Sequence, residues 1–169
     1  MTLIVQGKQA VFHNKTYQIA LGRSGYSVHK QEGDGTTPVG TYPLRYLYYR
    51  PDRFQSPPKT PLKTIALTPN DKWCDDPSSL LYNQFTQESL SCSHEKLWRD
   101  DEVYDLIIVI GYNDQPTVPF KGSAIFIHIA RENYTPTEGC IAFLKTDLLD
   151  ILEKITPQTQ ISILGEWGE

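Results

Sequence analysis

The sequence predicts a mainly β domain with one helix, and three features indicate this. Pro and Gly are frequent, with 12 and 11 copies in 169 residues, and they favour short strands separated by turns. Short apolar and aromatic runs alternate with these turn residues along most of the chain. One segment, near residues 147–155, has apolar residues at helical spacing. The length is that of an ordinary domain, so we expect a single unit over residues 1–169.

The first half of the chain is predicted to contain short strands and then long loops. Gly33, Asp34 and Gly35 form a turn, and the aromatic run at 41–49 is typical of a strand. Residues 51–104 carry many Pro, Asp, Ser and Asn with little periodicity. We expect long loops there, which form a lid or the walls of a cleft. Earlier strands are expected at 3–5, 10–12 and 17–21, with a turn at 13–15.

Two strands are predicted after these loops. The continuous apolar run at 106–110 is typical of a strand that is buried on both faces. Residues 123–130 form the other strand. Side chains alternate between the two faces of a strand, so Ala124, Phe126 and His128 share one face. The isoleucines between them occupy the opposite face.

A helix is predicted near 147–155, followed by a closing strand at 161–164. Thr146 is the expected N-cap, and Asp147 lies in the first turn, where an acid is favourable. Lys154 and the following Pro157 indicate the end of the helix. The apolar positions at helical spacing are Leu148, Ile151, Leu152 and Ile155.

Charge and hydropathy exclude two classes of partner. The net charge is −4 and Lys and Arg are scattered, so nucleic acid is not expected as a partner. No apolar run approaches the roughly 18 residues that a membrane-spanning helix needs. The first eight residues lack the basic and apolar regions of a secretory signal. We therefore expect a cytoplasmic protein, or a periplasmic one if a signal has been removed.

The three cysteines do not form a disulfide framework, because their number is odd and their spacing is wide. A Cys74–Cys92 bridge remains open beside the interpretation of both as buried thiols. Cys74, Cys92 and His94 lack the Cys-x-x-Cys spacing of zinc sites, so neither a metal nor a cofactor is predicted. The sequence does not determine the oligomeric state.

Cys140 and His128 are the candidate catalytic pair. A loop at 131–136 separates them and can bring them together. A nucleophilic Cys needs a nearby base or cation to form its thiolate. Gly139 permits a positive φ or a close backbone approach beside it. The amides of Cys140 and Ile141 could then stabilise an oxyanion.

Two alternatives to this pair remain open from the residues alone. His on an apolar strand and Cys are both often structural core residues. The pair could also belong to a papain-like peptidase or amidase. In that class the Cys generally comes well before the His, whereas here His128 precedes Cys140.

Two segments of the chain together resemble a known family. The first is Ile127-His128 followed by Thr137-Glu138-Gly139-Cys140-Ile141, and the second runs from Lys30 through Thr37-Pro38-Val39-Gly40 to Tyr42. They are similar to the His…Ser/Thr-x-Gly-Cys and Lys…Thr-Pro-x-Gly-x-aromatic segments of the L,D-transpeptidase (YkuD-type) catalytic domain. Each segment alone is weak, and the two in this order are quite specific. Further similar stretches, within residues 20–165, are Trp73-Cys74-Asp75-Asp76-Pro77, Leu97-Trp98-Arg99 and Gly111-Tyr112-Asn113.

The chain departs from the commoner form of this signature at two positions. Glu138 stands where a second His is usual, and Ala142 stands where Arg or Asn is common. The loop between His128 and Cys140 is also short. These differences leave the nucleophile and the base in place and concern the contacts with substrate.

The resemblance implies a β-rich catalytic fold and acyl transfer at an L,D bond of peptidoglycan stem peptides. Cys140 would attack the carbonyl at the L-centre of the diamino acid and release terminal D-Ala, with His128 as the base. Water as acceptor makes the enzyme an L,D-carboxypeptidase, whereas an amine acceptor gives a cross-link. A cytosolic enzyme would meet soluble muropeptides, so we expect hydrolysis of recycled tetrapeptides. The alternatives are a periplasmic cross-linking transpeptidase and a non-catalytic module that binds cell-wall peptide.

Six residues are predicted to contact the substrate. Arg99 and Arg131 are favoured because the guanidinium group pairs with carboxylates through two hydrogen bonds. Aromatic and amide side chains could bind the peptide itself, as could the neighbours of the nucleophile. These further residues are Tyr112, Asn113, Thr137 and Glu138.

Overall fold

The computed structural model describes residues 1–167, and most of its elements are strands. One 3-10 helix spans Glu132–Tyr134 and one α-helix, α1, spans Lys145–Lys154. The strands before residue 70 are β1 (Thr2–Gln6), β2 (Gln9–Phe12), β3 (Lys15–Ala20), β4 (Tyr26–Ser27), β5 (Thr37–Pro38), β6 (Gly40–Tyr49) and β7 (Thr64–Ala66). The later strands are β8 (Lys72–Cys74), β9 (Phe85–Thr86), β10 (His94–Lys96), β11 (Leu106–Ile110), β12 (Phe126–Ile129), β13 (Ile141–Phe143) and β14 (Gln160–Gly165).

Nine strands form the main sheet, in the order β11-β12-β13-β3-β2-β1-β14-β6-β7. An additional pairing of β11 with β6 links distant strands of this order, so the sheet curls into a closed ring. The N-terminal β1 pairs in parallel with the C-terminal β14. The mainly β fold class predicted from the sequence is therefore confirmed.

The central strands separate two apolar clusters. Ile127, Ile129 and Ile141 face the larger cluster, which also contains the buried face of α1. Phe126 and Cys140 face a second cluster together with Trp73, Leu97 and Tyr104. The alternation of faces predicted for β12 is confirmed, because its isoleucines and Phe126 lie in different clusters.

The predicted strand at 123–130 is too long, since β12 covers only Phe126–Ile129. Ala124 has a φ of +53°, a left-handed conformation that interrupts extended backbone. Its N–H donates to the side chain of Asn83 instead of to a neighbouring strand. This irregular backbone lies beside the cavity described below.

The helix is confirmed at Lys145–Lys154, but its predicted N-cap is wrong. Leu144 occupies the N-cap and no side chain caps the helix, so Thr146 lies within the first turn. An apolar residue is accepted there because tertiary packing stabilises the helix more than capping does. Its buried residues are Leu148, Ile151 and Leu152.

Residues 51–104 contain more order than the sequence indicates. The strands β8, β9 and β10 form a small separate sheet, and several residues of this region line the wall of a cavity. Among residues 1–167, no helix is both long and apolar enough to cross a membrane.

Candidate active site

The parallel pairing of β12 with β13 brings His128 and Cys140 to one cavity. Ile127 lies opposite Ile141 and His128 lies opposite Ala142, so Cys140 immediately precedes the strand beside His128. Both side chains line a cavity of about 350 Å³. They are nearly buried, with exposed fractions of 8% for Cys140 and 7% for His128.

A tight turn holds Cys140 at the start of β13. The Thr137 hydroxyl donates to the Cys140 carbonyl at 2.6 Å and accepts from the Gly139 N–H at 3.1 Å. Gly139 has a φ of +139°, and a Cβ at this position would lie 2.7 Å from the Thr36 carbonyl oxygen. Both the positive φ of Gly139 and its close contact with Thr36 therefore favour glycine at this position, as predicted from the sequence.

The two sequence segments that carried the resemblance meet at this turn. Thr37 Oγ1 donates to the Gly139 carbonyl at 2.9 Å and accepts from the Gly22 N–H. Lys30 is buried and also lines the cavity. Its ammonium pairs with Asp34 at 2.9 Å. The upstream segment thus supports the backbone that carries Cys140.

The Cys140 thiol is protonated in its resting environment. Sγ donates to the Ala124 carbonyl at 3.2 Å and accepts from the Phe126 N–H at 3.3 Å. Burial raises the pKa of the thiol to about 12, and the nearby Glu95 carboxylate contributes to this increase. The thiolate expected from the sequence is therefore not held in the resting protein.

His128 is neutral and is oriented by the backbone. Its Nδ1 lies 3.0 Å from the Ile129 carbonyl oxygen, which can only accept, so Nδ1 carries the proton and Nε2 is an acceptor. Tyr104 packs edge-on against the ring at 5.4 Å. Burial lowers the pKa of His128 to about 4, and the charges of Arg131 and Arg99 lower it further. A neutral imidazole is the form that can accept a proton.

The backbone leaves one of the candidate oxyanion donors available. Gly139 N–H is bound by Thr137, and Ile141 lies within the ladder between β12 and β13. The N–H of Cys140 has no acceptor among residues 1–167. Of the amides considered, that of Cys140 is therefore the one available to stabilise an oxyanion.

Four of the six predicted substrate residues line the cavity, and the structure distinguishes among them. Arg99 makes two hydrogen bonds to Asp101, at 2.8 and 2.6 Å. Arg131 is exposed and forms no ion pair within residues 1–167. Glu138 is exposed and pairs with Arg23. The Thr137 hydroxyl is occupied within the turn, as described above.

Tyr112 and Asn113 do not line the cavity that contains Cys140. The Asn113 side chain binds the backbone of Val118 and Gly122. The Tyr112 hydroxyl donates to the Lys121 carbonyl. The stretch Gly111-Tyr112-Asn113, which resembles the family, therefore stabilises the backbone of a loop. Neither Tyr112 nor Asn113 lines the candidate site.

Several residues that line the cavity were not predicted from the sequence, among them Asp75, Glu95 and Tyr104. Asp75 and Glu95 come from the region expected to be loops, where periodicity gave no indication of which side chains face inward. Asp75 lies within a stretch that carries the family resemblance, which was the available signal. No group of three or more His, Cys, Asp or Glu side chains within residues 1–167 is arranged to hold a metal.

Comparisons with known proteins identify the family of the chain. The family model for the L,D-transpeptidase catalytic domain (YkuD) matches residues 1–163, and no curated protein matches the chain. Two solved structures are similar, both of the helical cell shape determining protein Pgp2 from Campylobacter jejuni, one native and one a lysine-to-alanine mutant. Each is 16% identical over 99% of this chain, with TM-scores of 0.47 and 0.48. The chain spans about half of their length, 48% and 47% respectively. From the family match, the chain belongs to the YkuD family of L,D-transpeptidase catalytic domains.

Proposed function

We propose that this protein is a cysteine L,D-carboxypeptidase that removes terminal D-Ala from peptidoglycan tetrapeptides. The observation that carries the proposal is the shared cavity of Cys140 and His128, in which the imidazole is neutral and its Nε2 is an acceptor. A neutral base beside a protonated thiol suits proton transfer coupled to attack. Family membership supports the substrate class.

The proposed reaction has two stages. The Cys140 sulfur attacks the carbonyl at the L-centre of the diamino acid while its proton passes to His128 Nε2. The Cys140 N–H stabilises the oxyanion, the C–N bond breaks, and His128 returns the proton to the departing D-Ala amine. Water then attacks the thioester with His128 as base. The C–S bond breaks, which regenerates the thiol and leaves a tripeptide carboxylate.

Before attack, the thiol must leave its present hydrogen bond. Sγ now donates to the Ala124 carbonyl, and no hydrogen bond joins it to His128 among the described residues. The proposal requires the S–H to turn from this carbonyl towards His128 Nε2. Catalytic hydrogen bonds often become well aligned only when substrate is bound.

Burial of the nucleophile favours water as the acceptor. Only 8% of Cys140 is exposed, so a thioester formed there is reached more easily by water than by the amine of a second stem peptide. Hydrolysis requires no polymerised acceptor. We therefore propose that the substrates are recycled muropeptides and that the protein acts in the cytosol, which cell fractionation would test.

Product analysis tests the proposal. Purified protein is incubated with a disaccharide-tetrapeptide, and the products are identified by mass spectrometry, with Cys140→Ala as the matched control. We expect tripeptide and free D-Ala from the native protein and neither from the variant. Cross-linked dimer without tripeptide would contradict hydrolysis and would favour a transpeptidase.

A peptide-binding module without catalysis is the second candidate, because the Cys140 thiol is buried and its pKa is raised to about 12. A carbapenem distinguishes the two, since acylation requires a reactive thiol. Catalysis predicts a covalent adduct on Cys140. A module would bind the tetrapeptide without forming this adduct and without releasing D-Ala.

A further inference from the structure

The wall of the cavity contains two acidic residues on one face of the small sheet. Strands β8 and β10 are antiparallel, with Cys74 opposite His94 and Trp73 opposite Glu95. Asp75 follows β8 directly and therefore lies diagonally across from Glu95 on the same face. Diagonal neighbours of this kind are within reach of each other's side chains, and both residues line the cavity.

The two neighbouring cations form their ion pairs with other acids, although the charge of Arg99 still lowers the pKa of Glu95. Lys30 is bound to Asp34, and the Arg99 guanidinium is bound through two nitrogens to Asp101. Asp75 Oδ1 is buried and has no hydrogen-bond partner among residues 1–167. A buried, unpaired carboxylate oxygen is unfavourable and indicates a missing donor.

The second acid of the pair, Glu95, is affected mainly by its burial. Its carboxylate accepts hydrogen bonds from the Tyr104 hydroxyl, at 3.3 and 3.2 Å. Burial raises the pKa of Glu95 to about 7, and the charge of Asp75 adds to this effect despite the hydrogen bond from Tyr104. A cation bound between Asp75 and Glu95 would lower the pKa of Glu95 and would pair with both carboxylates.

We propose that Asp75 and Glu95 form a subsite for the side-chain ammonium of the diamino acid whose carbonyl Cys140 attacks. This inference rests on the proposed function, because that reaction places the diamino acid in this cavity. An ammonium group has three donors, which suit the carboxylates of Asp75 and Glu95. Arg131, which has no ion pair among the described residues, is then available for a substrate carboxylate.

The test compares two tetrapeptides that differ only at this amine. One has the free side-chain amine and the other has hydrogen in its place. We expect the native protein to prefer the amine by about 10- to 100-fold in kcat/KM, the range for a charge-assisted hydrogen bond. Asp75→Asn should reduce this preference towards unity. Glu153→Gln, an exposed acid on α1, removes the same charge elsewhere and should leave the preference unchanged.

Equal rates on both peptides with the native protein would overturn the subsite, as would an Asp75→Asn variant that keeps the full preference.

Acylation of Cys140 by a carbapenem, measured by intact mass, separates a failure of the subsite from a failure of the proposed function. A native protein that is acylated and cleaves both peptides equally refutes the subsite alone. A native protein that is neither acylated nor active refutes the proposed function, and the subsite with it. Acylation of Asp75→Asn shows that the variant is folded.

Discussion

Cys140 and His128 are both uncharged in the resting site, and burial is the main cause for each. The pKa of the thiol is raised to about 12 and that of the imidazole is lowered to about 4. Between these values neither group changes its charge. A preformed thiolate–imidazolium pair is therefore absent, and we propose that the thiol loses its proton as it attacks.

The reactivity of the free thiol should depend steeply on pH. Because a raised pKa leaves little thiolate at neutral pH, alkylation of Cys140 by iodoacetamide should be slow at pH 7. It should accelerate by about tenfold for each pH unit up to pH 10, as the thiolate fraction rises. Peptide mapping by mass spectrometry isolates this cysteine from Cys74 and Cys92. A rate that levels off below pH 8 would indicate a preformed thiolate instead.

Arg131 should contribute more to substrate binding than Arg99. The guanidinium of Arg99 is already bound to Asp101, whereas Arg131 has no ion pair within residues 1–167. We expect Arg131→Gln to lower kcat/KM by about 10- to 100-fold, mainly through KM. Arg99→Gln serves as the matched control and should have a smaller effect. The reverse order would assign the carboxylate contact to Arg99.

At the scale of elements, the site depends on two adjacent strands and the turn before the second. The faces of β12 were predictable because alternation in a strand follows from backbone geometry. The length of β12 was not, since the left-handed conformation of Ala124 arises from tertiary contacts such as that of its N–H with Asn83. Thr146 failed as N-cap for a similar reason, because packing of the buried face of α1 determines where the helix begins.

Gly139 offers a test of the turn. Gly139→Ala places a Cβ 2.7 Å from a backbone oxygen at a φ of +139°, so the turn must shift. Gly25→Ala is the matched control, because Gly25 lies outside the cavity of Cys140, its φ is +78° and only Glu166 Oε1, at 3.9 Å, lies within 4 Å of the added Cβ. We expect the control to lose about 1–2 kcal/mol of stability, measured by urea unfolding.

Gly139→Ala should lose more stability than the control and should also lose at least about tenfold in the rate of D-Ala release, because the shifted turn displaces Cys140. Equal stability and equal activity of the two variants would show that the turn does not position the nucleophile.

At the scale of the molecule, the first strand of the chain, β1, lies beside the last, β14. This long-range pairing was not predictable from local periodicity, although each strand was. The same limit applies to the small sheet, where the pairing of strands about 20 residues apart places Asp75 and Glu95 on one face. The candidate pair Cys140 and His128 was predicted from the residues, and the resemblance added the upstream segment. Tyr112 and Asn113, also predicted as substrate contacts, do not line the cavity of this pair.

Ile163 tests the contribution of the pairing between β1 and β14. It is buried in β14, where it lies opposite Val5 and Gly40, so Ile163→Ala should lower the free energy of unfolding by about 2–4 kcal/mol. The next residue, Leu164, is 51% exposed, and Leu164→Ala should change it by less than about 0.5 kcal/mol. Similar losses for the two variants would contradict the role of the inward face of β14 in the core.

The most direct test of the central claim is the detection of the acyl-enzyme on Cys140. Native protein is mixed with a defined tetrapeptide, quenched within the first turnover and analysed by peptide mapping and mass spectrometry. We predict a tripeptidyl thioester on the peptide that contains Cys140 and none on the peptide with the half-buried Cys92, with the adduct disappearing as tripeptide forms. Release of D-Ala by Cys140→Ala at the native rate, or an adduct on another residue, would contradict the account.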